Sequence, residues 1–496
     1  MINVSCSVFQ KILSFIMSAV SMVLMFFNFG YNQNICDGIN FDSIRSISDA
    51  GYSDKAYKNL IGNDAVSTDF VCADEKFSVT AGGAEIPVYT MPLYSGQKDK
   101  GTLHSFCFIE ISSEESFEIR IKSSLLIKPA IYPQKEFYQG LNYVSFAVEP
   151  DEEGTYTFFR NRSSDEDVLT IRIFHKRSED EQIERYKEEY GSENVLVFDK
   201  GMHETEQIVL HSDSVLYLKS GAYLKVKHSD KNGGAIKAED FKNIIIDGRG
   251  ILDLSCLDWH ERNGMEFLHG ENLKISDITI LNSANWSCYM YNIKNAEIRS
   301  ASIFGSRQNG DGIDVCNSQN IFVENCFVRA GDDCYNVKTL GNEADTPSEN
   351  ISFRYNVAWA TKARAAGITG ETNCDIRNVE FDDMTVIRCD ASWNDERIGT
   401  LAVVNETGGG NIENVSFKNI EIVDSECPPI LLSVLSGRTD VKIQKIFFEN
   451  INFSSRKNIS ICRKSESNEI DFSLKNVTKN GKPISDKDIF NDINSI

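Results

Sequence analysis

The sequence predicts an all-β chain, a right-handed parallel β-helix preceded by an N-terminal β-sandwich. Three observations carry this expectation. A strand start of the form Asn-apolar-x-apolar recurs along the C-terminal half. The region before it is built of short runs that alternate polar and apolar residues. A charged, helix-favouring stretch lies between the two, and the composition changes across it.

The repeat starts at NIIIDG (243) and returns at NLKISD (272), NAEIRS (295), NIFVEN (320), NISFRY (350), NVEFDD (378) and NVSFKN (414). A variant without the leading Asn, KIFFEN, follows at 445. The steps are 29, 23, 25, 30, 28, 36 and 31 residues. Such periods mean stacked units. The units are β-branched, aromatic and alternating, which excludes a helical solenoid, and they lack the signatures of a propeller. Coils of short strands with Asn-rich turns fit a parallel β-helix, each coil hydrogen-bonded to the next about 4.8 Å away. Stacked Asn side chains at a turn can satisfy one another. That also accounts for several N-x-S/T sites, which carry no functional assignment.

Residues 70–177 hold runs such as HSFCFIEIS, FEIRIK, NYVSFAVEP and VLTIRIFHKR, broken by Gly, Asp, Glu and Pro. Their even spacing predicts an antiparallel sandwich. Residues 178–193, SEDEQIERYKEEYGSE, predict a linker helix. The β-helix is expected over 194–460 and a C-terminal cap or tail over 461–496. At the other end, residues 12–27 are apolar and uncharged and follow Lys11. Sixteen residues suit a signal-peptide core and are short for a spanning helix. Residues 1–35 are therefore expected to be a signal peptide or membrane anchor, and the protein to be secreted or held at the cell surface, as a monomer.

The chain of 496 residues has a formal charge of −22. Without a positive face to neutralise phosphates, nucleic-acid binding is excluded as an expectation. The 13 cysteines form no C-x-x-C pair, which argues against a zinc ribbon or thioredoxin-type site. Most of them fit as small packed hydrophobes. No metal or cofactor is expected.

Chemistry concentrates in residues 309–339, NGDGIDVCNSQNIFVENCFVRAGDDCYNVKT. Asp311 and Asp332 are 21 residues apart, about one coil, and Asp333 is adjacent. Three carboxylates then share one face. Crowding raises the pKa of at least one. A protonated acid beside ionised neighbours is what glycoside hydrolysis needs. A Ca²⁺ loop is the bland alternative, but the D-x-D-x-D-G spacing is absent.

The motifs N-G-D-G-I-D (309–314), N-I-F-V-E-N-C (320–326) and G-D-D-C-Y-N-V-K (331–338) resemble the signature block of glycoside hydrolase family 28, the polygalacturonases. N-S-A-N-W (282–286), D-G-R-G-I-L-D (247–253) and G-A-Y-L-K-V (221–226) resemble flanking family segments. The order of sandwich then β-helix is also similar to family 49 dextranases, by layout alone. The resemblance implies an inverting hydrolase acting on a polysaccharide or oligosaccharide. Asp332 would be the general acid. Asp311 and Asp333 would hold and deprotonate the attacking water, and Asn309 would position the group around Asp311. An inverting pair implies carboxyl groups roughly 6.5 to 9.5 Å apart across the reacting bond. Lys338 and Arg364 are candidate substrate contacts, and Trp286, Trp359 and Trp393 are candidate sugar platforms, Trp286 foremost and Trp359 by preference core.

The sequence departs from the family where substrate charge is read. All seven His residues lie at or before His269, so none fills the family's G-H-G, and TKARAAGITGE (361–371) stands in that region. The family's R-I-K has only Arg397 and Ile398 followed by Gly399. The missing cation favours a neutral glycan over pectic acid. Two other classes stay open: a non-catalytic glycan-binding or adhesive β-helix, and a Ca²⁺-dependent polysaccharide lyase.

Overall fold

The computed structural model describes residues 44–46 and 72–492, apart from 96–99, 112–114, 125 and 342–345. The apolar run expected to be a signal or anchor lies outside the described residues. Among those described, no helix is long and apolar enough to cross a membrane.

Two small sheets of seven and five strands come first. Their ladders are antiparallel except where Val168–His175 runs parallel to Lys100–Ile111. Alternate residues of the strands point inward. Phe117, Ile119 and Ile121 of Phe117–Lys122 are buried while Glu118, Arg120 and Lys122 are not. Phe146 of one sheet packs against Tyr156 of the other, ring centroids 5.8 Å apart. The helix Glu179–Tyr190 follows, its first turn acidic and capped by Ser178, whose hydroxyl accepts from the Glu181 N–H. Tyr186 donates to Asp247 at 2.9 Å, which ties the helix to the coils that follow.

From Val195 the chain builds one 27-stranded sheet wound into coils, almost wholly parallel. The recurring Asn is the corner residue. Asn243, Asn272, Asn295, Asn320, Asn350, Asn378 and Asn414 all have positive φ, between 55° and 62°. Asn tolerates the left-handed region better than other side chains. Each donates its amide to the equivalent side chain one coil back, from Asn272 to Asn243 at 2.9 Å through Asn414 to Asn378 at 2.7 Å. Inside, Phe353, Phe381, Phe417 and Phe448 stack at 4.8–4.9 Å, nearly parallel, because the coil spacing matches ring-stacking distance. The pairing continues past residue 460. Glu469–Lys479 and Ile489–Asp492 pair parallel with Lys442–Ser455 and Ile459–Arg463.

The seven-stranded sheet packs on an outer face of the coils. Met91, Phe106, Phe159 and Phe174 meet Phe304, Phe327, Trp359 and Ile387 in one buried cluster. Trp359 is fully buried there, so it serves the junction between the two regions and not a sugar. Cys288, Cys326, Cys334, Cys389 and Cys427 are buried as free thiols.

Candidate active site

The strands Cys288–Arg299, Ile313–Cys316, Tyr335–Thr339 and Ala366–Thr372 follow one another in register, Cys288 beside Ile313, Tyr335 and Ala366. Trp286, Asp311, Asp333 and Arg364 each sit two residues before one of these strands. The stack therefore brings them into one column at the turn. Asp332 precedes Asp333 in its turn. Gly331 is required beside it, since a Cβ there would collide with the Arg307 carbonyl.

The three carboxylates converge. One oxygen from each lies within 4.8 Å of the others. That is closer than the separation expected of an inverting pair. The reason is geometric: Asp332 and Asp333 are neighbours in the chain, and Asp311 is one coil away, so the stack repeat of about 4.8 Å sets the spacing. A gap for a sugar between carboxyl groups does not set it.

Each carboxylate has a distinct setting. Asp311 accepts from Lys338 at 3.1 Å, and Lys338 also reaches Asp314 at 3.2 Å. Asp333 accepts from the Arg364 backbone at 3.0 Å and from its guanidinium at 3.2 and 3.4 Å. Asp332 has no cation within bonding distance among the described residues. It accepts only the backbone N–H groups of Asn309 at 3.1 Å and Asp333 at 3.2 Å. Asn309 thus serves Asp332 through its backbone, and not Asp311 as expected.

The charges follow from this. Burial, then the Asp311 and Asp333 charges, push the Asp332 carboxyl up to about 7. Burial also pushes Asp311 well above the usual carboxylate range despite Lys338, and Asp314 up to about 6. Burial opposes the Lys338 charge, but Asp311, Asp314 and Asp333 outweigh it and hold the ammonium charged. The same balance, with Asp333 and Glu406, keeps Arg364 charged. Asp332 is therefore a carboxyl that holds a proton near neutrality with no cation on it, whereas Asp311, itself pushed up by burial, and Asp333 are each paired with a cation.

Lys338 is buried and committed to Asp311 and Asp314, with its ammonium 4.3 Å from the Trp286 ring centroid. It positions carboxylates and is no open substrate contact. Arg364 also bonds Glu406 at 3.4 Å, and Arg397 pairs with the same carboxylate. Asp314 and Glu406 were not singled out from sequence. Asp314 was within reach, as the last residue of the N-G-D-G-I-D motif. Glu406 carried no local signal. Lys338 and Arg364 each hold one carboxylate of the trio and one outside it. A second group, His228, Asp258 and Glu261, also converges within 4.8 Å at the surface, His228 bonding Glu261 at 2.6 Å.

The polygalacturonase of Chamaecyparis obtusa is 23% identical over 222 residues, covering 42% of this chain and 40% of that one. Polygalacturonase QRT2 of Arabidopsis thaliana is 22% identical, covering 45% of this chain and 54% of its own. The chain thus spans about half the length of these relatives. Among solved structures, Dex49A from Penicillium minioluteum aligns over 84% of this chain and 91% of its own, with a TM-score of 0.60 and 13% identity, a likeness of fold that includes the small sheets before the coils. The model of the family described as Glycosyl hydrolases family 28 matches residues 192–494, a span that takes in every coil and the whole carboxylate cluster: the chain belongs to glycoside hydrolase family 28.

Proposed function

We propose that the protein hydrolyses O-glycosidic bonds of a neutral or sparsely charged glycan, with inversion at the anomeric carbon. The observation that supports this reading is the contrast within the trio: Asp332 is raised to about 7 with no cation on it, whereas Asp311 and Asp333 are each paired with one. Asp332 donates its proton to the glycosidic oxygen as the C–O bond breaks. Water held between Asp311 and Asp333 attacks from the opposite face and loses its proton to that pair. Ion pairing to Lys338 and Arg364 keeps both carboxylates fixed for that task.

The neutral substrate is argued from charge. Lys338 is committed to Asp311 and Asp314, Arg364 to Asp333 and Glu406, and Arg397 to Glu406. A galacturonate carboxylate that took Lys338 or Arg364 would break a buried pair, which costs about 3–5 kcal/mol; the cations left to it are the half-exposed Arg397 and Lys362, whose ammonium donates to the Ser95 carbonyl. The apolar run at 12–27 supports export to where such glycans are met.

The close spacing of the carboxylates favours a second reading, since retaining enzymes place theirs only about 5–5.5 Å apart. In that mechanism a carboxylate attacks carbon directly, and the cations on Asp311 and Asp333 would blunt both as nucleophiles. NMR of the first-formed product distinguishes the two. Inverted configuration is expected. Net retention would replace the water-holding pair with a covalent glycosyl-enzyme.

A further inference from the structure

Residues 390–400 form a loop between the strands Ile376–Cys389 and Leu401–Asn405. The carboxylate cluster leans on this loop. Arg364 donates from Nε to the Arg397 carbonyl at 3.0 Å, while its guanidinium holds Asp333 at 3.2 Å. The Trp393 indole donates to the Lys362 carbonyl at 2.8 Å. Whatever fixes the base of the loop therefore helps to fix the cation on Asp333.

The two ends of the loop meet at one sulfur. Cys389, just before it, places Sγ 3.3 Å from Sγ of Cys427 on the next coil. Thr400, its last residue, places Oγ1 3.3 Å from the same Cys427 sulfur. All three residues are fully buried. The register explains the meeting. Cys389 pairs with Ser425, the last residue of Ile412–Ser425. Cys427 comes two residues later, outside the strand, and Ser425 holds it in place. Ser425 Oγ accepts from the Cys427 N–H at 3.3 Å and bonds Thr400 Oγ1 at 2.7 Å. Cys326 shows the contrast, its Sγ donating to the Glu324 carbonyl at 3.3 Å.

Neighbouring coils stand about 4.8 Å apart, within the range of about 4.4–6.8 Å that a disulfide spans between Cα atoms. The contact also divides the roles. Its hydrogen bond pulls the Cys427 thiol down against burial, and together with burial pushes Cys389 well up. Cys427 is then the sulfur that attacks first. We propose that Cys389 and Cys427 are a disulfide site that staples the base of the 390–400 loop, closed by exchange with a small disulfide of the glutathione class. The Cys427 thiolate attacks one sulfur of that disulfide, breaks its S–S bond and releases one small thiolate. Cys389 then loses its proton and attacks the Cys427 sulfur, which expels the second. One protein S–S bond forms, two small thiols take up the two protons, and two electrons pass from the protein sulfurs to the small disulfide. The pair is buried once the coils pack, so exchange takes place as the chain folds or opens locally. The staple stands apart from the hydrolase reading, since it rests on the two sulfurs and the loop they close.

The test holds the full protein with an excess of oxidised glutathione, or of dithiothreitol, in sub-denaturing urea that lets the pair open. Both reagents are then removed, free thiols are alkylated in full denaturant, and peptides are mapped without reduction. The glutathione sample is expected to contain a Cys389–Cys427 linked peptide, and the dithiothreitol sample both residues alkylated. Limited digestion with trypsin reads the staple. Cutting after Arg397, a half-exposed side chain of the loop, should be several-fold slower in the linked protein. Its Tm should be several degrees higher, because the link joins residues 38 apart and restricts the unfolded chain. In Cys427→Ser the two treatments should give equal cutting rates. Both cysteines alkylated after glutathione treatment, or each left as a mixed disulfide, would overturn the site. A linked peptide with no change in cutting at Arg397, or a change that persists in Cys427→Ser, would overturn the staple. The peptide map uses wild type alone, so it decides the site even where Cys427→Ser fails to fold.

Discussion

At the scale of single residues, Asp332 carries the account, and its raised pKa makes two coupled demands. As an acid it must hold a proton, so kcat should fall as pH rises through about 7. The linkage to stability has the same sign. A carboxyl raised in the folded state binds its proton more tightly there than in the unfolded chain. Its contribution is therefore whole below the usual value of 3.8 and is lost as pH rises towards about 7, by at most about 1.4 kcal/mol per pH unit. Asp332→Asn has no proton to lose. The variant should unfold at a higher denaturant concentration than wild type above pH 7 and show less advantage near pH 4. Equal pH dependence of the two proteins in urea titrations would show that Asp332 is an ordinary exposed carboxylate. Its neighbours explain why only part of this was legible. Asp311, Asp332 and Asp333 stood out as clustered acids at one-coil spacing. That Asn309 would act through its backbone on Asp332, and that Glu406 would tie Arg364 to Arg397, depends on turn conformations that no residue pattern encodes.

At the scale of elements, the Asn corners were readable because one physical need repeats. Each coil must turn through positive φ at the same place, and each turn leaves an amide that only the next coil can satisfy. Asn350 shows both halves: φ of 58°, a bond given to Asn320 at 3.2 Å and one taken from Asn378 at 3.1 Å. Asn350→Ala loses the bonds and strains the backbone, and should cost about 2–3 kcal/mol. Asn350→Gly loses the bonds only and should cost about 1 kcal/mol less. Thermal or urea unfolding checks this, and an equal cost for both would mean that φ contributes nothing at the corner. The carboxylate spacing was misjudged at this same scale. It was argued from the sugar to be cut, whereas the coil repeat fixes it.

At the scale of the whole molecule, the sheets before the coils were anticipated from alternation, but their junction with the coils was not. It is built from pieces far apart in sequence: Arg329 lies 3.7 Å from the Trp359 ring centroid and bonds His104 at 2.6 Å across 225 residues. No local pattern marks such contacts. Net charge is the other property of the whole chain. At −22 it repels a polyanion at low salt, in line with the pairing of Arg364 and Arg397 to acids of the protein itself. The most direct measurement is release of new reducing ends by the purified protein and its Asp332→Asn variant, on neutral polysaccharides and on polygalacturonate. The account predicts release from a neutral glycan, slower release from polygalacturonate, and at least about a 10²-fold loss in the variant. Asp332→Asn at wild-type rate would contradict the assignment of the acid. Fast cleavage of polygalacturonate that disappears in Arg364→Ala would contradict the neutral substrate.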